Sequence, residues 1–286
     1  MKQRISLSLI FALSFVLPVT SASAEEAGHP EIHRQTWSFS GFTGQFDKAQ
    51  LQRGFQVYKD VCSNCHGLKY LSFRNLVQPG GPEFPEAAVK ELAKTWPNQI
   101  TDGPNDEGKM FERPALLSDP IRGPYHNDQE ARAAQNGALP PDLSLIARAR
   151  GVERNPSWWI HPFLMLGDIA KAYQEGGADY IYALMHGYSD PPADFKLTDG
   201  KFYNKIFPGH QISMPPPLSD GLVSYQDGTP DTVDNYAKDV VAFLSWAADP
   251  TLDTRKQIGW QVILYLIVTT GLLYLGKRRI WASIKH

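Results

Sequence analysis

Nineteen consecutive residues without a charge, Ile258 to Gly276, set the first limit on what this chain can become. Wound as an α-helix at about 1.5 Å per residue they reach roughly 28 Å, close to the hydrocarbon thickness of a bilayer. No charge gives the run a polar face, as a helix at the edge of a soluble core would need. Trp260 near one end and Trp281 beyond the other suit the two interfacial belts, and Lys277-Arg278-Arg279 follow at once. Basic residues mark the cytoplasmic side, so residues 277–286 read as a cytoplasmic tail and the bulk of the chain as exported.

The N-terminus agrees with export. Lys2 and Arg4 precede the apolar run Ile5 to Leu17, and small residues lead to Ala22-Ser23-Ala24. That is the pattern of a cleaved signal peptide, residues 1–24, and the run is shorter than the roughly 20 residues a span needs. The expected organisation is therefore a leader (1–24), an exported domain (25–257), a transmembrane helix (258–276) and the tail. Its expected address is a membrane crossed once, with the main domain on the exported side.

The exported 233 residues can bury one sizeable core. Leader and tail carry six basic and no acidic residues, which leaves the domain with 22 basic and 30 acidic side chains, a net of −8. That balance argues against nucleic acid and for a basic partner.

Proline and glycine cluster in 78–85, 101–124, 191–209 and 215–230, which predicts long ordered loops between a few helices. Leu51, Phe55, Tyr58 and Cys62 recur on one face and predict a helix from Asp47 to about Val61. A second is expected from Pro230 to about Ala248, with Thr229 as N-cap and Pro250 beyond its end. Pro85–Lys94 and Asp179–Gly187 are shorter candidates. Strand-like alternation is scarce, so the class is all-α with many loops. The segment Gly151–Gly177, with Trp158-Trp159 and Phe163–Leu166, reads most simply as a surface excursion packed on its own domain. Contact with a neighbouring subunit or the membrane surface is the alternative.

The chain has two cysteines, placed as Cys62-Ser63-Asn64-Cys65-His66. A structural zinc site would need four ligands, normally with a second cysteine pair. A thioredoxin-like pair would sit near a βαβ pattern and would not need the histidine. The remaining chemistry is attachment of one c-type haem, with both thiols added to the vinyl groups as thioethers and the imidazole of His66 on the iron. Export fits, because attachment consumes both thiols.

The sixth iron ligand decides between carrying electrons and doing chemistry on a bound molecule. Outside the leader the methionines are Met110, Met165, Met185 and Met214. Met185 lies in an apolar, helix-like stretch and reads as core filler. Met214 lies in a loop stiffened by Pro208 before it and Pro215-Pro216-Pro217 after it, the rigid presentation a thioether ligand needs. His210 in the same loop is the rival, and would give a bis-His haem of lower potential.

Several separated stretches resemble one family in its own order. They are WSFSGFTGQFDKAQLQRGFQVYKDVCSNCHGLKYLSFRNL, NGALPPDLSLIARAR, FPGHQISMPPPL, YQDGTP and AKDVVAFLSWAADP, followed by the anchor. Together they look like cytochrome c1 of the bacterial type, the haem subunit of the ubiquinol–cytochrome c reductase (cytochrome bc1) complex. The resemblance implies a class I cytochrome c-like domain and Met214 as distal ligand. It also implies Arg150 against a haem propionate, Tyr180 as a second candidate for that group, and Pro140-Pro141 packed on the porphyrin. A guanidinium suits a carboxylate because it offers two donors in a fork. The excursion 151–177 is long compared with the short link of mitochondrial members, so contacts there are not carried over.

The implied function is electron relay from the Rieske iron–sulfur protein to a soluble, basic cytochrome c, beside cytochrome b and in a dimeric complex. The chain would act as an electron-transfer subunit of the oxidoreductase and make no bonds alone. Two rivals remain: a tethered haem enzyme or gas sensor with an open sixth site, and the haem subunit of another respiratory complex.

Overall fold

The computed structural model describes residues 32–152 and 157–282. The expected leader lies outside them. Eight α-helices follow in order among these residues. The first four are α1 (Lys48–Asp60), α2 (Glu86–Lys94), α3 (Asp128–Ala134) and α4 (Ile146–Ala149). The others are α5 (His161–Lys171), α6 (Gly176–His186), α7 (Val233–Ala248) and α8 (Leu252–Trp281).

The domain is organised by the crossing of α1 and α7. Asp47 caps α1 by accepting from Gln50 N at 2.7 Å, and the helix then buries Leu51, Phe55, Val57 and Tyr58. Against them α7 brings Tyr236, Val240, Phe243, Leu244 and Trp246. Phe243 sits at the centre, its ring centroid 5.5 Å from that of Phe55 and 5.8 Å from that of Tyr58. The two backbones meet at Gly54, where a Cβ would stand 2.0 Å from the carbonyl oxygen of Asp239. Next to it Arg53 donates from Nε to Asp239 (2.7 Å) and from Nη1 to Asp227 (2.8 Å). Asp239 is only 3% exposed, so the charge pair lies inside the helix interface.

The expected helices at Asp47–Val61 and Pro85–Lys94 match α1 and α2, and α6 starts three residues earlier than Asp179. The start of α7 differs. Its N-cap is Thr232 rather than Thr229, because Thr232 Oγ1 accepts from Asn235 N and Asp220 Oδ1 accepts from Val233 N at 2.7 Å. Thr229-Pro230 belongs to the preceding turn, in which Asp227 accepts from Thr229 N. Three antiparallel ribbons complete the described chain. They are β1 (Leu68–Ser72) with β4 (Pro120–Ile121), β2 (Ile100–Asp102) with β3 (Phe111–Arg113), and β5 (Phe202–Tyr203) with β6 (Gln211–Ile212). Each is two-stranded, so the class is all-α.

At 30 residues α8 reaches roughly 45 Å and is apolar enough to cross a membrane, with none of its apolar window buried against the domain. Its first turns are fastened down. Asp253 accepts from Phe46 N at 3.2 Å, and Lys256 Nζ donates to the carbonyls of Phe39 (2.6 Å) and Gly44 (2.9 Å). Arg255 and Arg148 both bind the carboxylate of Asp249 at the end of α7. Domain and anchor thus share one root.

Among the described residues of the excursion 151–177, Trp158, Trp159 and the large apolar side chains of α5 are exposed rather than packed on the domain. α5 within it has no buried residue, and its tie to the rest is polar: Arg34 reaches Asp168 at 2.6 Å and lies over the ring of Tyr173.

Candidate functional site

α1 ends at Asp60, the N–H of its C-cap Val61 still bonds the carbonyl of Val57, and a 3-10 turn, Cys62–Asn64, follows. This turn carries Cys62 into the edge of the core, and the backbone N–H groups of both Cys65 and His66 close on the carbonyl of Cys62 (3.1 and 2.9 Å). The two thiols and the imidazole therefore leave the chain from one compact knot. Both cysteines are free and half-buried. Burial, and then the neighbouring Cys65, push the Cys62 thiol up to about 12. It is held as a neutral thiol in apolar surroundings. Gln135 Nε2 lies 3.7 Å from Cys65 Sγ and 2.7 Å from the hydroxyl of Tyr125.

The knot is stapled to the segment that follows α3. His66 Nδ1 is 2.7 Å from the carbonyl oxygen of Pro141. A carbonyl only accepts, so Nδ1 carries the proton. Burial lowers the His66 pKa, against the opposing effects of that hydrogen bond and of Asp142, so the ring is kept neutral and Nε2 keeps its lone pair. This is how a metal-binding histidine is oriented by a partner behind it. The same segment also donates from Leu143 N to Gly67 O (2.9 Å) and accepts from Lys69 N on Asp142 (2.8 Å) and from Tyr70 N on Ser144 Oγ (3.1 Å). Tyr58 of α1 donates to the carbonyl of His66 at 3.0 Å. A Cβ on Gly67 would stand 2.5 Å from Gly123 N, so glycine after the histidine lets the β1 and β4 strand ends approach.

The four methionines stand in different surroundings. Met110 and Met165 are exposed and Met185 packs against the core, while Met214 is half-buried beyond the β5–β6 hairpin. Its loop is fixed from the residues just after α6: Tyr188 donates to the carbonyl of Met214 at 3.1 Å. Buried Asn204 donates to Leu184 O (2.9 Å) and accepts from Ile206 N (2.9 Å). His210 is folded back into its own hairpin, with Nδ1 3.3 Å from Asn204 O and its ring 5.8 Å from Tyr203.

Arg150, at the end of α4, is exposed and turns Nη1 to the carbonyl of Ala149. It borders a groove with Arg148, His161 and Tyr173 whose lining includes none of Cys62, His66 and Met214. Tyr180 is half-buried on α6 against the core. Among the described residues no cluster of three or more His, Cys, Asp or Glu side chains could hold a metal ion by itself. Two free cysteines followed by a histidine are instead consistent with a haem c attachment motif. Gln135, the Pro141 carbonyl and Asn204 were not singled out from the sequence. Pro141 itself is named by the resemblance, but as a residue packed on the porphyrin and not as the acceptor for His66.

The model of the Cytochrome C1 family matches residues 37–284. Cytochrome c1 of Blastochloris viridis is 50% identical over 274 residues, covering 96% of this chain and 95% of its own. A chain named cytochrome b/c1 in Bradyrhizobium diazoefficiens is 44% identical over 98% of this chain and 40% of its own length. The mitochondrial cytochrome c1 haem protein of Schizosaccharomyces pombe is 42% identical over 94% of this chain and 78% of its own.

Proposed function

The chain belongs to the cytochrome c1 family and is a membrane-anchored electron-transfer cytochrome of the bc1 complex, and from this we propose how its own residues do that work. Cys62 and Cys65 would hold one haem c covalently, and His66 through Nε2 and Met214 through its thioether would be the protein ligands of its iron. Bound there, the haem supplies a one-electron Fe(III)/Fe(II) couple.

The observation that carries this reading is the His66–Pro141 hydrogen bond. It commits Nδ1 as the donor and leaves Nε2 as the ligand atom. The rigid Met214 loop supports the second ligand, since Tyr188 holds the Met214 carbonyl and three prolines follow. His210, packed on Tyr203, is the less available donor. A thioether opposite an imidazole favours ferrous iron more than two imidazoles do, and so raises the potential. Arg150 is proposed to turn its exposed guanidinium to a haem propionate, and Tyr180 to stand near the same group.

The chain passes electrons from the Rieske iron–sulfur protein to a soluble basic cytochrome c, which the net −8 of residues 25–257 attracts. Cytochrome b is its neighbour in a dimeric complex. A relative whose name joins cytochrome b and c1 in one chain supports that adjacency. The domain lies on the periplasmic side of the inner membrane after loss of residues 1–24, as the basic residues after the span support.

Haem staining of a denaturing gel tests the attachment. The wild-type band stains, and the band of Cys62→Ala with Cys65→Ala does not. A stained double variant would overturn the thioether assignment. Purification in mild detergent tests the partners: cytochrome b and the Rieske protein should travel with the haem, and a different set would point to another complex. Carbon monoxide should leave the ferrous spectrum unchanged, whereas an open sixth site would bind it at once.

A further inference from the structure

α5 is amphipathic the wrong way round for a helix on a soluble surface. Such a helix turns its apolar stripe to the core and its charges to water. Here Phe163, Met165, Leu166 and Ile169 are each more than half exposed. At about 100° per residue they share one side of the helix. Gly167 and Asp168, on the other side, are its least exposed residues, and Asp168 turns to Arg34 of the N-terminal segment. In the turn just before the helix, Trp158, 87% exposed, and Trp159 add two further exposed apolar side chains. An apolar patch of this kind, on a helix tied to the domain through Asp168 on its other side, marks a surface that is covered in use.

The fold says what phase covers it. α5 ends at Lys171, whose carbonyl oxygen would lie 3.8 Å from a Cβ on Gly41. The next residue, Phe42, is itself exposed, and its ring centroid lies 6.4 Å from that of Trp260. Trp260 is the third residue of the uncharged stretch of α8, at the level where an interfacial tryptophan sits. α5 is thus joined, through Gly41 and Phe42, to the place where the anchor meets the bilayer. The root of α8 is held rigidly by Lys256 and Asp253 on the same 39–46 segment, so this relation is built into the fold.

We propose that α5 lies in the lipid–water boundary of the leaflet α8 enters, with its apolar side among the upper acyl chains and Trp158 and Trp159 at headgroup level. Helices of this kind bind by the apolar area they bury and lie in the plane of the interface. The domain is then held at two points, a span and an in-plane helix. Two attachments fix its tilt over the membrane, where a single helix would leave it free to swing. The inference rests on α8 crossing the membrane.

The test is photolabelling of the full-length, haem-loaded protein in phosphatidylcholine vesicles with a carbene precursor dissolved in the acyl phase, read by peptide mass spectrometry. The peptide of 157–171 should carry at least ~10-fold more label than the water-facing loop 104–109, as a helix sunk to the acyl boundary must. Phe163→Gln with Leu166→Gln should cut α5 labelling and leave α8 labelling unchanged. Labelled α8 with unlabelled α5, and oxidation of Trp158 and Met165 by aqueous hydroxyl radicals, would overturn the inference alone. So would protection from both reagents only in the assembled complex, which would give the patch to a protein partner. Unlabelled α8 would overturn both the inference and the membrane reading beneath it.

Discussion

Arg53 and Arg34 each hold an aspartate across more than a hundred residues of sequence, and they do opposite things. Arg53 closes on Asp239 inside the α1–α7 crossing, where apolar faces meet and the backbones touch. Arg34 closes on Asp168 so that the apolar face of α5 is turned outward. In one region polar groups seal an interior, and in the other they hold apolar groups out of one. The comparison separates what makes the domain fold from what adapts it to its surroundings. The Cys62–His66 knot hangs from the first region, at the end of α1, and none of Cys62, Cys65, His66 and Met214 lies in α5.

The largest expected effect is a glycine comparison. Gly54→Ala drives a Cβ to 2.0 Å from Asp239 O and should abolish the folded, haem-bearing protein, a cost beyond ~5 kcal/mol because backbone must move. Gly167→Ala in α5 meets nothing within 4 Å and should stabilise its helix by up to ~1 kcal/mol. Haem content in membranes and thermal unfolding measure both. Equal effects would erase the distinction between the two regions.

Next comes the arginine comparison. Arg53→Met leaves the carboxylate of Asp239 buried without its partner and should cost about 3–5 kcal/mol in denaturant unfolding. Arg34→Met breaks a pair whose side chains are 41% and 28% exposed, and should cost less than about 1 kcal/mol. A costly Arg34→Met would mean that α5 belongs to the folding core after all.

What the sequence made legible follows the same division. α1, α2 and α8 carry their own signals, either periodic apolar faces or an uncharged run of the right length. α7 was legible in its body but not in its start. Thr229-Pro230 has the chemistry of a helix start, yet Asp220, a residue of the preceding loop, reaches the N–H of Val233 and so decides the boundary. α5 escaped because its apolar residues do not face a core, so its period predicts no packing partner. The two short ribbons, β2–β3 and β5–β6, hold three and two pairs of residues, too few for alternation to show.

In the site, Cys62, Cys65 and His66 were legible because one turn of chain holds them all. The oriented Nδ1 of His66 was not, since its partner is a carbonyl that every residue possesses, 75 positions away. Gln135 beside Cys65 escaped for the same reason of distance in sequence.

The central claim is the pair of iron ligands, and near-infrared magnetic circular dichroism of the ferric full-length protein reads it directly, with a redox titration of the same samples. The wild type and His210→Leu should both show a sulfur–imidazole iron. Met214→Leu should lose that signature, and its potential should fall by a few hundred millivolts within the roughly 0.8 V that axial ligands command. A wild-type spectrum of two imidazoles, changed by His210→Leu and untouched by Met214→Leu, would contradict it.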